Sequence, residues 1–311
     1  MPSLFHLIDS RWLLSPWALG AAGLLVGMAL SVMARLLPRV LEMRWLGEAA
    51  VQLSDPDALR AHAGLDPAAA ARLSQSADGV RQAIESQDIS VSASCATCGH
   101  RFSWLERAPV VGWLLHRGRC GRCAASRPVR GPILEAATGM LFAALAWRLG
   151  AQPATLLWCA FAAALVVLAA IDLETQLLPD AITLPLLWAG LAASALGATI
   201  PPADALLGAV AGYLSLWSVY WAFRLATGQE GIGYGDFKLL AALGVWLGWQ
   251  MILPIIVIAA LFGALAALAI RLAGRSVGGL RIPFGPFLVA GALLVLFAGP
   301  GQIIIAVVGR A

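Results

Sequence analysis

Apolar residues in this chain are gathered into long runs, and polar residues separate the runs at intervals close to one membrane thickness. Seven runs, at 15–37, 133–149, 154–171, 181–199, 205–223, 251–272 and 285–308, approach or exceed the roughly 20 residues that a helix needs to cross hydrocarbon. A shorter one at 239–250 makes an eighth. The pattern predicts an all-α polytopic membrane protein of about eight transmembrane helices, because a backbone in lipid must satisfy its own polar groups. Small residues four apart, at Gly23/Gly27, Gly208/Gly212 and Gly244/Gly248, predict places where two of these helices come close.

Between the first and second runs the pattern changes. Residues 46–93, rich in Ala, Asp, Ser and Gln, read as a loosely helical or partly disordered connector. Residues 94–131 hold four cysteines and many arginines and read as a small folded module. The expected division is a first transmembrane helix (1–37), a cytoplasmic region (38–131) and a membrane domain (132–311).

Composition agrees with the pattern: only 12% of residues are charged and the mean hydropathy is +0.82, against about 25% charged in soluble domains. Met1 to Ser10 contains Asp9 and no basic residue, so the first run reads as a permanent span rather than a secretory signal. Orientation follows from the arginines. Pro38 to Gly131 carries twelve, seven of them after Cys98, which places this segment in the cytoplasm. Threading eight spans from there puts Arg224, Lys238, Arg271, Arg275 and Arg281 inside, and Arg11, Arg148 and Arg310 outside with both termini. The connections at 172–180 and 224–238 then share the cytoplasmic face.

The cysteines form two CxxC knuckles, Cys95/Cys98 and Cys120/Cys123, with 21 residues between them. Each knuckle turns two thiolates toward one ion, and two knuckles complete a closed tetrahedral zinc site of structural type. A module of roughly 40 residues needs such a staple because it buries little apolar surface. Disulfides are the alternative, and a cytoplasmic location weighs against them. His100 and His116 flank the knuckles as possible substitutes, and Cys159, inside an apolar run, acts as a small apolar side chain.

The acids near the spans are Glu135, Asp172, Glu174, Asp180, Glu230 and Asp236. Ionisable groups in a span cost about 2.5–3.5 kcal/mol each and mark function by default. Asp172 ends an apolar run, whereas Glu174 and Asp180 read as loop acids nearer water. Asp236 follows Gly231, Gly233 and Gly235, which permit positive φ or the approach of another backbone, so Gly233 and Gly235 are expected to position an extended peptide beside the acid. Two carboxylates held close share a proton, and such a pair can activate water and protonate a leaving amine. A methyl added at Gly235 is expected to harm this arrangement more than one at Gly244, where only helix packing is at stake. A phosphate-cradling loop is disfavoured by the acid at its end. The GRSVG stretch at 274–278 lacks a strand–turn–helix context for a serine nucleophile, and no HExxH pair exists.

The two knuckles, RGPILEAATG, IDLETQLLPDAITLPLLWAGL, TGQEGIGYGDFKLLAALGVWLGWQ and RIPFGPFLVAG, in this order, closely resemble bacterial type IV prepilin peptidases over nearly the whole chain. The resemblance implies a GxGD-type aspartic endopeptidase of the bacterial inner membrane, with its active site at the cytoplasmic face. It implies removal of short basic leaders, after a glycine, from type IV prepilins and type II secretion pseudopilins. Carried over by position, the two catalytic aspartates are Asp172 and Asp236. It also implies methylation of the new N-terminus from S-adenosylmethionine, although Ser31 and Leu36 stand where members commonly carry Asn and Arg. Membrane lipid is the expected surrounding, and no nucleic-acid partner is expected. An ion-coupled transporter is the alternative, which paired repeats and midplane acids would favour. A non-catalytic zinc-bearing scaffold would leave the buried acids without a purpose.

Overall fold

The structure is a computed structural model and describes residues 10–86, 94–229, 231, 233–274 and 282–299. Glu230, Arg275, Arg281, Arg310, most of the GRSVG stretch and the end of the last apolar run lie outside the described residues. Thirteen α-helices and no β-strand occur among the described residues: α1 Ser10–Leu13, α2 Pro16–Leu53, α3 Pro56–Ala63, α4 Pro67–Glu85, α5 Trp104–Arg107, α6 Val111–Leu115, α7 Arg130–Leu149, α8 Ala154–Thr175, α9 Asp180–Ala195, α10 Pro202–Thr227, α11 Tyr234–Leu247, α12 Ile252–Leu272 and α13 Gly285–Ala298. A 3-10 turn, Trp249–Met251, leads into α12. The protein is all-α.

Each of the eight apolar runs carries a helix, but the helices differ in reach. Five are long and apolar enough to cross a membrane: α2, α7, α8, α10 and α12 with its leading turn. Helices α9 and α13 are shorter, and α11, at 14 residues, spans only about 21 Å. Sequence periodicity cannot distinguish a short helix buried among others from one that meets lipid, because both are apolar on every side.

The chain divides into two compact units, Met1–Ser31 with Ser103–Ala311, and Val32–Phe102. In the smaller unit, the described part of the expected loose connector is regular helix. Helix α2 runs through Pro38 to Leu53. Asp55 and Asp66 then each cap a helix that has Pro at its first position. Asp55 Oδ1 accepts from the amides of Asp57 and Ala58 (2.9 and 3.2 Å), and Asp66 Oδ1 from those of Ala68 and Ala69 (2.9 and 3.0 Å). Gly64, at φ +64°, ends α3. The Ser74 hydroxyl donates to the Ser54 carbonyl at 2.7 Å, tying α4 to the end of α2.

In the larger unit α11 is the centre. Phe237, Leu239, Leu240, Ala242, Leu243 and Val245 are fully buried. Its neighbours approach through glycine. A Cβ on Gly208 or Gly244 would collide with the other's backbone, one on Gly212 would lie 2.5 Å from the Leu240 carbonyl oxygen, and one on Gly190 would lie 2.6 Å from Trp246 Nε1. The expected small-residue contacts at Gly208/Gly212 and Gly244 are therefore the seam between α10 and α11, where backbone proximity supplies the dispersion that lipid exclusion cannot. Trp246 stacks on Phe161 (centroids 4.9 Å apart) and donates to the Leu186 carbonyl at 2.9 Å, which fixes α8 and α9 on the same helix. Gly23 and Gly27 of α2 meet α7 in the same way: Cβ atoms there would lie 2.8 Å from the Thr138 carbonyl oxygen and 2.6 Å from Glu135 Cα. Cys159 is buried with Leu19, Phe142 and Leu145 in an adjoining apolar cluster.

Candidate active site

Asp172 stands in the last turn of α8, where the helix closes at Gln176 with φ +56°. It is buried, and its Oδ2 has no hydrogen-bond partner. Opposite it begins α13, and a Cβ on Gly285 would lie 2.6 Å from that oxygen. A methyl there would have to displace the carboxylate. A buried unpartnered carboxylate oxygen is costly in a folded protein and calls for an explanation by function.

Asp236 is the third residue of α11, after Gly233 at the N-cap. An acid at this position faces the unpaired amides and the positive end of the helix. Its side chain folds back on the loop, since a Cβ on Gly233 would lie 3.4 Å from Asp236 Oδ2. The residue is buried. Leu178 lies between the two backbones: a Cβ on Gly235 would be 2.8 Å from Leu178 Cβ, and one on Gly285 would be 3.4 Å from Leu178 Cδ1. The connection after α8 and the starts of α11 and α13 thus meet at one leucine.

Of the two uses expected for the glycines before Asp236, positive φ or close approach, Gly233 and Gly235 do not take the first. Gly233 is extended (φ −78°, ψ 145°) and Gly235 is already helical. These glycines serve close approach: at Gly231 a Cβ would lie 2.9 Å from the Phe223 ring, and at Gly235 it would press on Leu178. A Cβ at Gly244 would meet the Gly208 backbone, whereas one at Gly235 would meet a side chain that can shift.

The other acids are committed elsewhere. Asp180 is the first residue of α9 rather than a loop acid, and both its oxygens accept from Lys238 Nζ at 2.8 and 2.7 Å. Glu174 pairs with Arg130 at 2.8 Å. Glu135 is buried in α7, and its Oε2 accepts the Val110 amide at 2.7 Å. Gly285 and Lys238 were given no role from sequence. The Gly-Pro step that opens the last apolar run was the available signal for Gly285.

The four predicted cysteines come together. All their sulfur atoms lie within 4.8 Å of one another, whereas a zinc ion with bonds of about 2.3 Å sets sulfurs about 3.8 Å apart. The knuckles are built alike. Cys95 N–H donates to His100 O (2.9 Å) and Gly99 N–H to Cys95 O (2.9 Å), and Cys120 N–H donates to Ala125 O (2.8 Å) and Ala124 N–H to Cys120 O (3.0 Å). Gly99 and Ala124, just after each second cysteine, both have positive φ, +67° and +57°. No disulfide occurs among the described residues, and the donor set fits a closed four-thiolate metal site without either histidine. His116 Nδ1 faces the Gly112 carbonyl at 3.0 Å.

Residues 159–268 match the type IV leader peptidase family and residues 21–149 match the bacterial peptidase A24 N-terminal domain. A prepilin leader peptidase/N-methyltransferase of Pseudomonas putida is 41% identical over 277 residues, covering 88% of each chain. One from Aeromonas salmonicida is 45% identical over 205 residues, 66% of this chain and 70% of that protein. Another, from Pseudomonas aeruginosa, is 39% identical over 279 residues, 89% of this chain and 88% of that protein. No solved structure matches the chain. With both family regions matched and identity near 40% over almost the full length, the chain belongs to the type IV leader peptidase family.

Proposed function

We propose that this protein is a membrane aspartic endopeptidase that removes the basic leaders of type IV prepilins and pseudopilins after a glycine, and then methylates the new N-terminus. The single observation that carries the peptidase reading is the burial of Asp172 and Asp236 about Leu178, with no ion-pair partner for either among the described residues. One carboxylate, ionised, takes a proton from the water that attacks the scissile carbonyl carbon. The other, protonated, donates to the carbonyl oxygen. As the tetrahedral intermediate breaks its C–N bond, a proton passes to the leaving amine. The pair acts as a unit, so base and acid are not divided between the two residues. Gly233 and Gly235 keep the approach to Asp236 free of side chains, and a substrate backbone lies there in this reading.

The catalytic part is residues 132–311, in the inner membrane, with the site on the cytoplasmic side where the arginine-rich segment also lies. Cys95, Cys98, Cys120 and Cys123 would hold one structural zinc. S-adenosylmethionine, when bound, supplies the methyl group that the relatives' name implies. The ion-coupled transporter has no support in the family or its relatives.

Purified protein mixed with a prepilin should yield a product shortened at its N-terminus, and Asp172→Asn or Asp236→Asn should yield none while remaining folded. Near-normal turnover by either variant rejects the pair. Metal analysis should find one zinc per chain, lost on Cys120→Ser. An active metal-free preparation rejects the zinc assignment.

A further inference from the structure

The two short helices before α7 carry their apolar side chains outward. In α6, Gly112 is buried while Val111, Leu114 and Leu115, which share one face, are 52%, 59% and 64% exposed. In α5, Glu106 is buried, and Trp104 and Leu105 are 78% and 45% exposed. The helices touch closely, since a Cβ on Gly112 would lie 2.5 Å from the Leu105 carbonyl oxygen, so the five side chains belong to one small body. In a soluble module this arrangement would be inverted.

Two observations identify what covers this face. Position is the first. The Val110 amide, between α5 and α6, donates to Glu135 Oε2, which fixes the two helices beside the first turns of α7. Glu135 is only about 8 Å along the axis from Arg130, the first residue of α7. That is the depth at which a membrane helix passes through the headgroups. Charge is the second. Residues 103–129 contain five arginines and a single acid, Glu106, and that acid is buried with its Oε2 accepting the Ser103 amide at 2.8 Å. Arg107, Arg117, Arg119 and Arg122 are exposed. The outer surface is therefore apolar and cationic together, the combination of an interfacial helix on anionic lipid. A second copy of the chain, or a basic leader, would set cation against cation.

We propose that α5 and α6 dock on the surface of the bilayer that α7 enters, with Trp104, Leu105, Val111, Leu114 and Leu115 among the acyl chain ends and the arginines on anionic headgroups. Docking in this way holds the turn between α5 and α6 at a fixed height over α7, so the lipid is a structural partner of the module.

The test places a photo-crosslinking phenylalanine analogue at position 104, 114 or 115 of the full-length protein in vesicles. A matching variant carries it at Val80, an exposed apolar position of α4. Vesicles of phosphatidylcholine with one-third phosphatidylglycerol are compared with phosphatidylcholine alone. Lipid adducts at two or more of the three positions should exceed the Val80 yield about fivefold in anionic vesicles and fall about threefold without the anionic lipid. Arg117→Gln with Arg122→Gln should abolish that lipid dependence while the thermal unfolding midpoint stays unchanged. Adducts no more frequent than at Val80, adducts to protein instead of lipid, or equal yields in the two vesicles would each overturn the proposal.

Discussion

The segment from 172 to 180 and the first turn of α11 hold two kinds of acid only a few residues apart. Asp172 and Asp236 are 4% and 8% exposed and face glycine and leucine, with no cation paired to either among the described residues. Asp180 and Glu174 lie further out, each held by a basic side chain, Lys238 or Arg130. The inner pair is expensive to keep and does nothing for stability that an apolar residue would not do better. The outer pair is inexpensive and serves to join helices. Burial without a countercharge, rather than the presence of an acid near a span, is what separates the residues of the reaction from those of the frame.

Neutralising the inner pair is the strongest way to break this contrast. Asp172→Asn and Asp236→Asn should each lower cleavage by at least about a thousandfold, because acid–base assistance of this kind contributes roughly 10² to 10⁴ per group, with melting temperatures equal to or above that of the parent. A fall in stability together with activity would make the two acids structural.

Crowding the site without touching its charges comes next. Gly285→Ala puts a methyl 2.6 Å from Asp172 Oδ2 and should reduce cleavage about tenfold or more in folded protein, since small displacements of a reacting group are costly. Gly235→Ala, which presses only on Leu178, should be milder. Gly244→Ala should instead reduce the amount of folded protein recovered from membranes, because its methyl meets the backbone of α10. Equal cleavage by the Gly285→Ala variant would remove that glycine from the site.

The outer acids sharpen the comparison from the other side. Lys238→Met or Asp180→Asn should change stability by less than about 1 kcal/mol, the worth of an exposed pair, and lower cleavage only a few-fold through a looser start of α11. Glu174→Gln should be nearly neutral in both measurements. A loss with Asp180→Asn as large as that with Asp172→Asn would move Asp180 into the reacting pair.

Much of this was legible in the chain. Apolar runs located α2 and α7 to α13 because hydrocarbon tolerates few alternatives to a helix. Glycines four apart located the α10–α11 seam, and CxxC spacing located the cysteine cluster. The Asp-Pro steps at 55–56 and 66–67 were equally plain signs of helix starts, but the polar composition around them read as loose connector.

What the sequence by itself determined was therefore local: which residues are helical, which residue types can hold a metal, and which acids stand at the ends of apolar runs. Only the tertiary structure decided which acids go without a cation, that Gly285 rather than a loop glycine abuts Asp172, and that Gly244 meets backbone where Gly235 meets a leucine. Those facts depend on segments far apart in the chain, with Gly244 set against Gly208, Gly235 against Leu178 and Gly285 against Asp172. Periodicity reports the direction in which a residue faces on its own helix and carries no information about which other helix it faces.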